Sequence, residues 1–241
     1  MQCQVFMLDA LYRRNIQPKG ELTKVPEPIG WTMKEAASRI ASDLKDGWFV
    51  NLGIGLPTLI AESIPKNKEV IFHSENGIIG IGTKPADKEA DHDLINVGKE
   101  PITLLDGGSF FSQADSFAMI RGGHLDACVL GAYQVSNNDD LTSWKLPKAK
   151  LGGVGGAMDL TVGSKRIYVF MKHCTKDGKA KIVNQCSFPL TSKKCVNRIY
   201  TELAILDVTK KGLVVKELAP GVSFEYVQER TEAPLKMVTS T

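Results

Sequence analysis

Val70-Ile71-Phe72-His73-Ser74-Glu75-Asn76-Gly77-Ile78-Ile79-Gly80-Ile81-Gly82 changes character halfway along. Its first half is an apolar, β-branched run that reads as a buried strand. Its second half carries glycines at 77, 80 and 82, where the backbone can turn sharply and approach a ligand closely. Glu75 stands between the two, at the mouth of the strand. Ligands in open α/β sheets gather beyond the carboxyl ends of the strands, so this carboxylate is the candidate reactive group. Its position also fits a plain solvated loop glutamate, although function concentrates on loops held by rigid elements.

Upstream, Thr32 and Glu35 have the spacing of a capping box. Apolar residues then recur at Met33, Ala36, Ala37, Ile40, Ala41 and Leu44 with helical period, and Asp46-Gly47 ends the helix. Trp48–Leu52 reads as a strand. Gly53-Ile54-Gly55-Leu56-Pro57-Thr58 is a strand–glycine–helix turn with Pro57 suited to the first helical turn. The third glycine of a dinucleotide fingerprint is absent, so its simplest role is a tight turn beside the site. Leu59–Ile64 reads as a short helix.

Downstream, Thr83–Asp93 is charged and reads as a surface loop. Asp93–Asn96 and Ile102–Leu105 are expected to return to the sheet, with Gly107–Phe111 as a turn. Ala114–Ile120 is helical, closed by Arg121 and Gly122-Gly123. Arg121 is read as a helix-end charge or as a partner for a carboxylate or phosphate. Asp126–Ala132 is a strand, and Ser136–Lys150 is a polar loop. The next stretch, Gly152-Gly153-Val154-Gly155-Gly156-Ala157-Met158, bares its backbone. Such a loop either lets two backbones cross or turns its N–H groups toward a ligand oxygen. Lys165–Met171 is a strand, Lys176–Lys179 a hairpin-type turn into Ile182-Val183, and Tyr200–Val208 and Leu213–Leu218 are strands. Ser223–Glu229 is a short helix. Strands alternating with short helices make the chain α/β, an open, mainly parallel sheet with flanking helices and a strand-rich C-terminal part. The expected divisions are an N-terminal extension at 1–30, one domain at 31–234 and a polar tail at 235–241.

The 241 residues are 43% hydrophobic and 24% charged, an ordinary globular composition. A net charge of +3 is too balanced to argue for nucleic acid or a membrane surface. Cys3, Cys128, Cys174, Cys186 and Cys195 form no C-x-x-C pair, which suits a reducing cytosol. The four histidines lack metal-ligand spacing, so no metal is expected. Ser74 lies outside any G-x-S-x-G elbow, which argues against a serine–histidine reading of His73 and His124.

Five segments, in order, resemble the β subunit of the class I CoA-transferases of 3-oxoacid type. They are Val50–Thr58, Ser74-Glu75-Asn76-Gly77, Ser116–His124, Gly155–Leu160 and Pro189-Leu190-Thr191. The resemblance runs from Thr32 to about Pro234 and implies a CoA-transferase-like fold. It implies Glu75 as covalent nucleophile, with Gly156 and Ala157 as candidate amide donors to an oxyanion. Ser74, Asn76, Gly77 and Gly155 are then expected around the substrate or coenzyme A. Asn76 reads equally as a turn former. Coenzyme A is implied as substrate and covalent intermediate, with no permanently bound cofactor. An α subunit is implied as partner, in an α2β2 heterotetramer in the cytoplasm. Leu104–Phe111, Val154–Gly156 and Arg198–Thr201 look closer to the 3-oxoadipate branch than to the acetoacetate branch. The rivals are an acyl-CoA hydrolase using the same Glu75, and a non-catalytic ligand sensor on the same fold.

Overall fold

The computed structural model describes residues 29–146 and 153–237. Residues 1–28, which make up most of the N-terminal extension, lie outside the described residues, as do 147–152 and 238–241.

Helix α1 (Met33–Asp43) starts on the expected capping box. Thr32 Oγ1 accepts from the Glu35 amide, and the Glu35 carboxylate accepts from the Thr32 amide at 2.7 Å. Its apolar stripe of Ala36, Ala37, Ile40 and Ala41 is fully buried in the core. β1 (Trp48–Leu52) follows, then a 3₁₀ helix (Leu56–Ser63) with Pro57 in its first turn. β2 (Val70–Ser74), β3 (Ile78–Ile81) and β4 (Leu104–Phe110) come next. Helix α2 (Gln113–Arg121) leads to β5 (Ala127–Leu130), and helix α3 (Ala157–Gly163) to β8 (Ile167–Phe170).

These strands join β10 (Arg198–Tyr200), β11 (Ala204–Thr209), β12 (Gly212–Leu218) and β13 (Leu235–Met237) in one 10-stranded sheet, in the order β13-β12-β11-β10-β8-β5-β1-β2-β3-β4. Strands β10, β8, β5, β1 and β2 run parallel, and they form its buried centre. Parallel strands covered on both faces are apolar throughout; β5 and β8 are buried at every position. The flanks turn antiparallel at β2–β3–β4 and at β10–β11–β12. The expected α/β architecture is therefore present. No helix among the described residues is long and apolar enough to cross a membrane.

Several local expectations are corrected. Gly107–Phe111 is not a turn: all but its last residue belong to β4, bent where the register slips opposite Ile79–Ile81. Gly107 takes φ +83° there, so the glycines serve a bulge rather than a reversal. Asp93–Asn96 forms only an isolated bridge, Ile95 to Pro101, outside the sheet. The segment read as one strand over Tyr200–Val208 is two antiparallel strands, β10 (Arg198–Tyr200) and β11 (Ala204–Thr209), because Thr201 breaks the run. Its hydroxyl accepts from the amides of Leu203 and Ala204 and closes the turn. The polar stretch after Gly131 holds a second sheet of β6 (Gln134–Ser136), β7 (Leu141–Thr142) and β9 (Ile182–Val183). β12 (Gly212–Leu218) and α4 (Phe224–Gln228) fall as expected, but Leu235–Met237 pairs parallel with β12 as β13 rather than trailing away.

Candidate active site

Strand β2 ends at Ser74, and Ser74-Glu75-Asn76-Gly77 makes the reversal into β3. The Gly77 amide donates to Ser74 O at 3.0 Å, and Gly77 takes φ +102°. A side chain there would run into the Phe111 carbonyl, so glycine is required for both the turn and the close approach. Ser74 and Asn76 hold the neighbouring loop. Ser74 Oγ accepts from the Val97 amide at 3.0 Å, and Asn76 Nδ2 donates to Ile95 O at 2.8 Å. The turn is fixed on both sides, and Glu75 projects from it.

The second glycine cluster meets Glu75 here. A Cβ built on Gly156 would lie 2.9 Å from Glu75 Oε1 and 3.1 Å from the Phe117 ring. Gly156 precedes α3 and is buried, whereas Gly155, at φ +52°, is not buried and has open space around it. The Ala157 amide is already bonded to Val154 O at 3.2 Å. Of the two expected oxyanion donors, Gly156 is the one that lies beside the carboxylate.

Burial raises the Glu75 carboxyl above its usual range, and the charge of Asp159 on α3 pushes the same way. The Gly156 amide and the Asn51 side chain oppose this by favouring the ionised form. Asp159 is itself paired with Arg121 at 2.7 Å, so Arg121 ties the end of α2 to α3. The carboxylate opens on a cleft of about 390 Å³ lined by Ile54, Tyr133, Ser143 and Gly153–Gly156. It sits beyond the carboxyl ends of β1, β2 and β5, where a parallel sheet places ligands.

Behind Glu75 lies a buried polar row that sequence reasoning missed. Asn51, His73 and Cys128 are register partners on β1, β2 and β5. Asn51 Nδ2 lies 3.2 Å from His73 Nδ1, and the Cys128 thiol donates to Asn51 Oδ1 at 3.6 Å. His73 Nε2 is 2.9 Å from Ser116 Oγ on α2. Burial lowers the His73 pKa to about 4, so the ring is neutral. In the sequence Asn51 reads only as the middle of an apolar strand. Among the described residues no three His, Cys, Asp or Glu side chains cluster as a metal site.

A carboxylate half withdrawn from water, beside a bare glycine backbone and an open cleft, is equipped to attack an electrophilic carbonyl. Comparison with known proteins gives the family. The Coenzyme A transferase family matches residues 33–230. The β subunit of 3-oxoadipate CoA-transferase from Acinetobacter baylyi is 52% identical over 206 residues, 85% of this chain and 94% of that one. The β subunit of succinyl-CoA:3-ketoacid coenzyme A transferase from Helicobacter pylori is 48% identical, over 85% of this chain and 99% of that one. Among solved structures, the acyl-CoA transferase YdiF from Escherichia coli O157:H7 superposes with a TM-score of 0.67 over 86% of this chain and 42% of that one. At 20% identity that likeness speaks for the fold alone. The family match over most of the chain, together with these bacterial relatives, shows that the chain belongs to the Coenzyme A transferase family.

Proposed function

We propose that this chain is the β subunit of a 3-oxoacid CoA-transferase that moves coenzyme A from succinyl-CoA to a 3-oxo acid, with Glu75 as the covalent acceptor. The carrying observation is the Glu75 carboxylate beside Gly156 at the cleft. Glu75 attacks the thioester carbonyl of succinyl-CoA and expels CoA thiolate, leaving a mixed glutamyl–succinyl anhydride. The thiolate then attacks the Glu75 carbonyl and releases succinate, giving a glutamyl thioester. The incoming 3-oxo acid attacks that thioester in turn, and the returning thiolate cleaves the second anhydride at its acyl carbonyl. Free Glu75 and the new acyl-CoA are the products.

A carboxylate suits this role because its anhydride keeps the activation of the thioester, which a serine ester would lose. Each tetrahedral intermediate at the Glu75 carbonyl carries an oxyanion beside the Gly156 N–H. One such donor is worth about 3–4 kcal/mol in other enzymes. Coenzyme A thus serves as substrate and transient covalent group. Between 3-oxo acids, 3-oxoadipate is favoured over acetoacetate by the stretches Leu104–Phe111 and Arg198–Thr201 and by the A. baylyi relative. Both bacterial relatives are named as one subunit of a larger enzyme, which supports an α subunit as partner, in an α2β2 assembly. The free cysteines at 128, 174, 186 and 195 suit a cytoplasmic setting.

The test combines this chain with its α subunit and succinyl-CoA, then maps the Glu75 peptide by mass spectrometry. A CoA adduct on Glu75 is expected. A complex that transfers CoA with no adduct there overturns the assignment. Release of CoA without a second acid would favour the hydrolase instead.

A further inference from the structure

We propose that His73 is a positioning residue for this transfer, orienting through Asn51 the amide donor that faces the Glu75 carboxyl. The proposal rests on Glu75 as the acyl acceptor.

The row has a direction. The His73 carbonyl oxygen can only accept, so Asn51 turns Oδ1 toward the Cys128 S–H and Nδ2 toward β2. There it meets His73 Nδ1 and the His73 carbonyl oxygen, each at 3.2 Å. Since Nδ2 donates, Nδ1 accepts, and the ring proton resides on Nε2. That proton is given to Ser116 Oγ at 2.9 Å. Phe111 lies near-parallel to the ring at 6.1 Å between centroids, interplanar angle 18°, and closes one face of the imidazole. All four polar side chains are at most 2% exposed. A flipped Asn51 amide would set its oxygen against both Nδ1 and the Glu75 carboxylate, two acceptors in a buried site. With Nδ1 as acceptor, neutral His73 joins its own carbonyl oxygen in holding Asn51 against that flip. Asn51 therefore keeps its nitrogen end on the β2 side, and its side chain favours the Glu75 carboxylate.

Glu75 follows the end of β2 two residues after His73 and acts on the Cys128 thiol by its charge, so the row reads as a support beneath it. The other ionisable groups acting on Glu75 are Asp159 from α3 and Cys128 from β5. Both stay unchanged when His73 is replaced.

The experiment measures single-turnover formation of the Glu75–CoA thioester, using the complex with the α subunit and succinyl-CoA across pH. His73→Leu fills the space but offers Asn51 no acceptor. It is expected to slow thioester formation by about 10- to 100-fold, with the acid limb of the profile moved to higher pH. His73→Gln, whose carboxamide can accept from Asn51 and donate to Ser116, is expected to restore most of the rate and the limb. Ser116→Ala, a milder change, should shift the limb in the same direction if the leucine variant fails to fold. A leucine variant with the parent's rate and limb overturns the proposal. So do leucine and glutamine variants equally slow with an unmoved limb, which would mark His73 as packing alone. Absence of adduct on the parent's Glu75 instead overturns the nucleophile, and the proposal with it.

Discussion

Gly156 and Glu75 are so close that the smallest side chain at 156 would press on the carboxylate: a Cβ would sit 2.9 Å from Oε1 and 3.1 Å from Cδ. The same Cβ would meet the Phe117 ring at 3.1 Å. Of these neighbours, the end of the Glu75 side chain is the freest to move. Gly156→Ala is therefore expected to displace the nucleophile while leaving the fold intact. Misplacing a reacting group by about 1 Å costs on the order of 100-fold in rate. Steady-state transfer by the assembled complex should fall by about that factor, with thermal unfolding nearly unchanged. A variant as fast as the parent would separate Gly156 from the chemistry.

Glu75 is held in a site that resists its charge. Its pKa is raised chiefly by burial, then by Asp159, against the help of Gly156 and Asn51. A carboxyl whose folded pKa lies above its unfolded value loses stability as pH rises through that interval, and the loss persists at neutral pH. Glu75→Gln should thus abolish transfer yet raise the melting temperature at pH 7, with the gain vanishing below the ordinary carboxylate pKa. Differential scanning calorimetry at pH 7 and pH 4 checks the sign. Equal melting temperatures for parent and variant at both values would mean that the ionised carboxylate carries no cost.

The parts of this site that can be read from sequence are those carried by local chemistry. Thr32 and Glu35 announce a capping box by spacing alone. Glu75 stands out because an apolar run gives way to glycine at one point. Gly156 stands out because its neighbours lack side chains. Asn51 cannot be read in this way. It sits 24 positions before Glu75 and reaches the site only because β1 and β2 pair in parallel with Asn51 opposite His73. Register between parallel strands joined by a long crossover leaves no local trace. β4 is hidden for the converse reason: Gly107 and Gly108 signal a turn locally, but pairing with β3 bends them into a bulge. Tyr200–Val208 reads as continuous because Thr201 is β-branched, while it is the Thr201 hydroxyl that breaks the strand.

Gly77 carries the cost of the tight turn that displays Glu75. With φ at +102° and the Phe111 carbonyl against its Cα, any side chain there must be both strained and displaced. The Phe111 amide also donates back to Gly77 O at 3.0 Å, so the two segments cannot simply part. Gly77→Ala is expected to destabilise by about 2–3 kcal/mol. Transfer should fall as well, because the turn holding Glu75 must shift. Urea unfolding gives the first quantity and the thioester assay the second. A loss under about 0.5 kcal/mol, the range of an ordinary surface change, would contradict the clash.

Acid should unfold the chain earlier than its carboxylates alone predict, because two histidines are buried uncharged. His73 and His173 both have pKa values lowered from 6.5 to about 4, mainly by burial, with Arg230 and Lys181 adding to the effect at His173. His173 is enclosed by Thr201 Oγ1 at 3.0 Å and Thr231 Oγ1 at 2.9 Å, so both ring nitrogens meet hydroxyls, while the Glu202 carboxylate is bonded to its backbone amide. The unfolded chain binds protons at these rings below about pH 6.5, and the folded chain does not until about pH 4. Stability therefore falls as pH drops through that window, by about 2 kcal/mol per ring between pH 7 and pH 5. Replacing His173 by Gln removes one titrating ring, so the variant's stability should decline less steeply over the same range, whatever its value at pH 7. Parallel declines for parent and variant, measured by urea unfolding at half-unit steps, would show that His173 takes up its proton in the folded chain as readily as in the unfolded one.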